Sequence, residues 1–439
     1  MKFFNQSLNY EFNFYSLLST IFFSFLPISI IMGNLIININ IILLDILLLI
    51  YCLHSNQWKW AKEDLFRSLI ILNAFLIFNS TYAFYSKFNF SYEGIIRSFA
   101  FIKFILLVYS FKILVFNKYQ LDIIIKSWLV LVTIIIIDIF FEKIFGHNII
   151  GNISPDGGRI VSFFKDELVV GSFVFCFGFS VISYFLNKNQ KLNNKIFFSF
   201  FLTLIPFSIF ISGEKSNFIK ASILFFLIIF FIDKKKLFLS KKILVSVLIL
   251  FTSLLLIYNK TTFYKYSEFF LRIKAVENES SFIDKFQNIK YFAHYDTGIK
   301  IFKNYPILGV GNKNFRLECS KDKYLNEKIK LNQERCSTHS HQIYFELLSE
   351  HGLVGFTIIL FIIAKFIIKN IKLCLITKDI FHSSNIFYLI LFFIPLLPGS
   401  GIFNTFNGIM FWLIFSLTNS IYENKKKDYK IKQILNEKI

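Results

Sequence analysis

The sequence predicts an all-α polytopic membrane protein of about twelve transmembrane helices. Three observations carry that prediction. Of 439 residues, 55% are hydrophobic and only 17% are charged, against roughly 25% charged in soluble domains. Mean hydropathy is +0.57, and apolar runs near the roughly 20-residue spanning length recur along the chain. Lysines gather in short loops that alternate with less basic ones, as the positive-inside rule requires. The net charge of +20 therefore reads as lysine in cytoplasmic loops. Soluble classes fall away, and no nucleic-acid partner is expected.

Taken in order, spans are expected near 14–32, 35–53, 68–84, 95–116, 121–141, 168–185, 196–211, 218–232, 243–258, 353–368, 386–397 and 403–418. The first run looks uncleaved and is expected to remain a span. Arg97 and Lys103, near the start of the fourth, should face the bundle interior or snorkel. The basic segments 54–67, 187–195, 233–242 and 370–379 fall inside, with the Lys-rich tail after Tyr422. Both termini are then cytoplasmic, and 142–167, 212–217 and 259–350 lie outside. The chain divides into an N-terminal membrane region (1–258), a long outside loop (259–350), a C-terminal membrane region (351–422) and a cytoplasmic basic tail (423–439). No repeat suggests an inverted-repeat transporter.

The chemistry-bearing residues share the outside face. Residues 336–355 read Cys-Ser-Thr-His-Ser-His-Gln-Ile-Tyr-Phe-Glu-Leu-Leu-Ser-Glu-His-Gly-Leu-Val-Gly and hold His339, His341 and His351. If Ser340 starts a helix, His341, Phe345 and Leu348 share one face. An imidazole then sits at a helix N-terminus, where the dipole favours an anion and a proton is handled near neutral pH. Arg159, Lys215, Lys300, Lys303 and Arg316 lie on the same side. Fixed cations with one titratable imidazole suit transfer from a lipid diphosphate. The cations hold the leaving diphosphate, and the imidazole deprotonates an acceptor hydroxyl.

Plainer readings stand beside these. Arg159 and Lys215 also suit snorkelling to headgroups. His294 also reads as an ordinary loop residue, and Glu350 as either a sugar ligand or a solvated helix end. His351-Gly352 reads as a helix break. Gly309-Val-Gly311 reads as a tight turn, since no Lys-Ser/Thr follows it as a nucleotide loop requires.

There are five cysteines. Cys52 and Cys176 fall in spans and Cys374 in an inside loop. Cys319 and Cys336 share the long outside loop, where an oxidising compartment permits a disulfide. Such a bridge would contribute about 3 kcal/mol in the chain-entropy model and anchor His339 and His341. Free thiols are the alternative. Zinc held by these cysteines and histidines matches no usual ligand spacing.

Two motifs carry a family resemblance. The run Asn304-Tyr-Pro-Ile-Leu-Gly-Val-Gly-Asn-Lys-Asn-Phe315, followed by Thr338-His-Ser-His-Gln-Ile-Tyr-Phe-Glu-Leu-Leu-Ser-Glu-His-Gly-Leu-Val-Gly355, resembles the O-antigen ligase and O-antigen polymerase superfamily. The likeness is specific over about 294–356 and extends loosely to the span layout. It implies a GT-C-like membrane fold in the bacterial inner (cytoplasmic) membrane, with a periplasmic active site. It implies an inverting glycosyltransferase whose donor is an undecaprenyl-diphosphate-linked glycan, using no nucleotide sugar, cofactor or metal. The acceptor would be lipid A–core, another lipid-linked glycan, or a protein hydroxyl.

The family histidine falls on His341, with Gln342 in place of the commoner Asn. The arginine after span seven falls on Lys215, in Gly213-Glu-Lys-Ser216. Lysine keeps the charge and loses the bidentate fork. The motif before span six is similar to the run beginning Gly158-Arg159. A further loop arginine has no clear match. Tyr291, His294 and Lys300 occupy its region, with Arg272 and Arg316 as other candidates. The resemblance thus implies His341 as base and Lys215, Arg159, Lys300 and Arg316 as diphosphate ligands, supported by His339, Glu350 and His294. The reading from a different class is a polysaccharide or lipid transporter, which would carry polar residues deep in many spans.

Overall fold

Within a bilayer an apolar run satisfies its own backbone polar groups by forming a helix. The computed structural model describes residues 14–86, 91–155, 158–165, 167–188, 192–231, 290–326, 332–399 and 401–436, with scattered residues between 245 and 267. No strand occurs among them. The elements are α1 (Phe14–Met32), α2 (Asn34–Ser55), α3 (Asp64–Tyr85), α4 (Tyr92–Phe99), α5 (Ile102–Leu114), α6 (Lys118–Phe145), α7 (Val170–Leu186), α8 (Leu192–Ser212), α9 (Lys215–Phe231), α10 (Lys290–Asn304), α11 (Ile343–Thr377), α12 (Ile380–Phe392) and α13 (Thr405–Asn436).

Among the described residues, seven helices are long and apolar enough to cross a membrane. They are α1, α2, α3, the α4–α5 pair taken as Tyr92–Leu114, α6, the Asn194–Ser212 part of α8, and α11. α7 and α12 are apolar but shorter. The chain is a polytopic helical membrane protein. Of the other expected spans, the eighth corresponds to α9, of 17 residues. The twelfth is the first half of α13. The ninth, 243–258, lies mostly outside the described residues, as does Arg272.

Several expected boundaries move. The fourth span is two helices, because α4 ends at Phe99 and α5 begins at Ile102. Arg97 pairs with Glu93 at 2.7 Å, and Lys103 donates to Asn38 of α2. α7 carries a π-helical turn at Val174–Gly178. The long polar segment 259–350 holds α10, and its last residues already belong to α11.

α5 packs against α2 and α13 near the centre of the bundle, while α12 packs on α7, α9 and α13. Trp128, Tyr109 and Trp412 are fully buried there. α10 lies on the first turns of α11, and α11 lies on α3.

The loop joins the bundle at a break in α11. Gly352 has φ 60° and ψ −166°, a conformation reached almost only by glycine. The turn at 306–311 inserts there and replaces the helix's interrupted hydrogen bonds. Leu353 N–H donates to Pro306 O at 2.8 Å and Val354 N–H to Ile307 O at 3.1 Å. In return Val310 N–H donates to Ser349 O at 2.9 Å and Gly311 N–H to Glu350 O at 2.7 Å. A Cβ on Gly352 would stand 2.3 Å from Ile307 O, and one on Gly309 would stand 2.6 Å from Gly352 N. The far side of the turn meets α3 and α4. Asn79 donates to Leu308 O, and Asn312 Nδ2 donates to Ser98 Oγ at 3.2 Å.

Gly352→Ala is expected to lower stability by roughly 1–3 kcal/mol, the scale of one strained backbone site. Gly146→Ala is the control, since Gly146 also has positive φ but no neighbour within 4 Å of its added Cβ. Thermal midpoints in nanodiscs should fall further for Gly352→Ala. Equal losses would mean that the docked turn adds nothing to the constraint.

Candidate active site

The histidine segment begins at a covalent anchor. Cys319 and Cys336 form a disulfide with Cα atoms 5.3 Å apart. Beside it, Arg335 donates from Nε to Cys319 O at 3.1 Å and from Nη2 to Ser320 O at 2.9 Å. The Arg335 carbonyl in turn meets His294 Nδ1, on α10, at 2.9 Å. One crosslink and one guanidinium thus fix the 335–341 strap against both 319–320 and α10.

The strap brings three histidines together. The His341 ring centroid lies 4.2 Å from His339, 4.9 Å from His294 and 5.4 Å from Tyr291. His341 Nε2 sits 2.8 Å from Ser337 Oγ. Burial pushes the His339 imidazole down to about 3, helped by the charges of Lys313, His294 and Arg316. His339 is therefore neutral at physiological pH.

His341 is not on the helix. Gln342 is the N-cap of α11, and its Oε1 accepts from Tyr344 N–H at 2.7 Å and Phe345 N–H at 3.3 Å. An amide oxygen on that side chain caps as asparagine does. The helix therefore begins at Ile343 rather than Ser340, and the expected face of His341, Phe345 and Leu348 does not form. His341 instead takes φ 56°, uncommon for a residue with a Cβ. Gly399 N–H donates to its carbonyl at 2.7 Å.

A second cluster gathers where α8 turns into α9. Glu214, buried in that turn, accepts from Gly171 N–H at 2.7 Å and from Asn217 Nδ2 at 2.5 Å. A Cβ on Gly171 would stand 2.8 Å from Glu214 Cδ, so glycine is needed there. The Arg159 charge acts on Glu214 and on Tyr266. Burial pushes the Glu214 carboxyl up, while Arg159, Gly171 N–H and Asn217 pull the other way. Arg159 Nη2 donates to Leu168 O at 3.3 Å, and its buried Nε has no hydrogen-bond partner among the described residues. Its loop is pinned by α6, whose Glu142 accepts from Ser162 N–H at 2.7 Å. Lys215 follows Glu214 as the first residue of α9.

The other predicted residues have partners of their own. Lys300 pairs with Asp296 at 2.9 Å. Arg316 pairs with Glu93 at 3.4 Å. Glu350 is fully buried behind the Gly352 break, where its Oε1 accepts from Phe315 N–H at 3.3 Å. Beside it Lys313, 3% exposed, lies 3.8 Å from Glu346 Oε1 and donates to Asn404. His351 is buried edge-on to Phe403 at 5.2 Å.

Sequence reasoning missed Glu214, Lys313 and Arg335 as organising residues. Glu214 had a signal, a carboxylate beside a lysine in a tight turn between apolar runs. Arg335 had one too, as the neighbour of a bridging cysteine. No described group of three or more His, Cys, Asp or Glu side chains is arranged to hold a metal ion.

Residues 198–360 match a family model described as O-antigen ligase. The match runs from α8 through Lys215 and the loop to His341 and the first half of α11, and leaves Arg159 outside. Over that stretch the chain is O-antigen ligase-like, in agreement with the motif resemblance. No curated protein matches the chain.

The depressed His339 imidazole has a pH signature. The unfolded chain takes this proton near pH 6.5 and the folded protein only near 3. Its contribution to stability is complete above pH 6.5 and is lost as pH falls toward 3. Thermal midpoints should therefore drop between pH 7.5 and 5, and His339→Gln should flatten that slope. An unchanged slope in the variant would show that His339 binds its proton alike in the folded and unfolded chain.

Proposed function

We propose that this chain is a glycan ligase of the O-antigen ligase type. It would transfer a glycan from undecaprenyl diphosphate to a hydroxyl of lipid A–core at the periplasmic face of the bacterial inner membrane. The observation that carries this reading is the family-model match over residues 198–360, which takes in Lys215 and the His341 strap. Within it His341, a non-glycine residue, is held in a left-handed conformation between a helix cap and the Gly399 amide, which is strain of the kind found at functional sites.

In this reading His341 accepts the proton of the acceptor hydroxyl. The freed oxygen attacks the anomeric carbon as the carbon–oxygen bond to the diphosphate breaks, with inversion. The bonding pair leaves with undecaprenyl diphosphate, whose charge is met by Arg159 and Lys215. Ser337 supports the assignment, because its hydroxyl already occupies hydrogen-bonding distance of His341 Nε2. His339, held neutral by burial, and His294 flank the base, while Lys300 and Arg316 form an outer basic rim. Glu350 supports the segment from behind. The reaction as written calls for no cofactor or metal.

The reading places 259–350 in the periplasm between membrane regions 1–258 and 351–422, with about twelve spans in a GT-C-like arrangement and a cytoplasmic tail at 423–439. The loop disulfide is consistent with an oxidising compartment.

The test is complementation of surface glycan in a strain lacking its ligase, at matched expression. His341→Ala should reduce ligated product at least about 100-fold, the lower end of the general-base range, and leave glycan on the lipid carrier. Lys215→Ala should be impaired and Lys215→Arg active. Wild-type protein that lengthens chains attached by another enzyme would make it a polymerase. Full activity of His341→Ala would remove the catalytic assignment.

A further inference from the structure

α9 turns a regular stripe inward: Lys220, Ala221, Leu224, Phe225, Ile228 and Ile229 are its buried residues. The spacing is that of one helix face, and all but the first are apolar. A lysine therefore heads a stripe whose pattern calls for an aliphatic side chain. It is 7% exposed. Among the described residues no carboxylate or hydrogen-bond acceptor partners its ammonium, and its one aromatic neighbour is the Phe392 ring at 5.7 Å. A cation withdrawn from water without a partner is costly. An inward-facing ionisable group in a membrane helix marks a functional site by default.

Its surroundings say which site. The ammonium lies 3.4 Å from where a Cβ on Gly399 would be, which places it against that residue. The amide of that same Gly399 holds the His341 carbonyl at 2.7 Å. Lys220 thus touches the segment that positions the proposed base. One end of its helix begins with Lys215, five residues earlier or roughly 7.5 Å along the axis. Helix amides and dipole at that end also favour an anion.

We propose that Lys220 is a third cation of the anion seat, beside Arg159 and Lys215, placing a phosphate of the donor between α9 and the Gly399 segment. The ligand class is a phosphate or diphosphate ester of a lipid alcohol. This rests on the glycan-transfer reading, and it adds an inner anchor between Lys215 and the histidine cluster. The missing counter-charge of Lys220 is then the substrate's own.

The test is binding of geranylgeranyl diphosphate to full-length protein in phosphatidylcholine nanodiscs, with thermal midpoints recorded in parallel. Lys220→Met should weaken binding at least tenfold without lowering the midpoint, because it removes an unpaired buried charge. Lys220→Arg should stay within about threefold of wild type, since it keeps the charge. If Lys220→Met does not fold, Lys220→Gln is read in its place. Binding by Lys220→Met equal to wild type, with Lys215→Ala weakened, overturns the proposal and leaves the glycan-transfer reading standing. No binding by wild type overturns both. Competition arms fix the source of the anion. Inorganic pyrophosphate displacing the probe at equal concentration assigns the seat to free phosphates, and phosphatidylglycerol displacing it assigns the seat to bilayer headgroups. Either retains Lys220 as an anion ligand, provided Lys220→Met loses that competitor too.

Discussion

The exchange of backbone hydrogen bonds at Gly352 is the constraint on which the rest depends. A helix broken within an apolar environment leaves amides and carbonyls that need partners. Here the 306–311 turn supplies them, and glycine at 309 and 352 lets the two backbones meet. The consequence reaches in both directions. Toward the N-terminal bundle, the turn is gripped by Asn79, Ser98 and the close approach of Gly94. Toward the loop, the turn fixes Lys313 and Phe315 against the start of α11. The long polar segment is therefore tied into the bundle at its centre, and the histidine strap has a fixed frame.

The strap itself is held by different means. A disulfide and the Arg335 guanidinium secure its first residues, and Gln342 and Gly399 secure its last. His341 lies between these anchors in a conformation it would not choose alone. The anchors are a covalent bond, charge-assisted hydrogen bonds and a helix cap, and the disulfide also packs in a small apolar cluster with Ile301, Phe315 and Tyr324.

Charge is distributed to match. Lys300 and Arg316, near the periphery, have carboxylate partners. Arg159 is balanced by Glu214, and Lys313 by Glu346. Lys220 differs from all of these in being buried with an aromatic ring for company. Paired cations are explained by architecture, whereas a buried cation with neither carboxylate nor acceptor among the described residues asks for a ligand. This contrast separates it from the basic residues that sequence inspection selects first, because those are conspicuous by lying in loops.

The sequence by itself determined the class of the protein and the position of most of its described apolar helices. Those properties follow from hydropathy and the placement of lysines, which act along the chain and need no knowledge of contacts. It also exposed the motifs around Gly309 and His341, because turn and helix-start residues have local preferences. It misplaced the start of α11, since Ser340 and Gln342 are both plausible caps and only the packed strap selects between them. It gave no weight to Glu214, Arg335 or Lys220. Their roles come from Gly171, Cys319 and Gly399, partners far away in the chain. Tertiary structure alone decided that His294 meets His341 and that a lysine in an apolar stripe faces the segment holding the His341 carbonyl. Such juxtapositions are fixed by packing among several helices at once, and no periodicity in one helix encodes them.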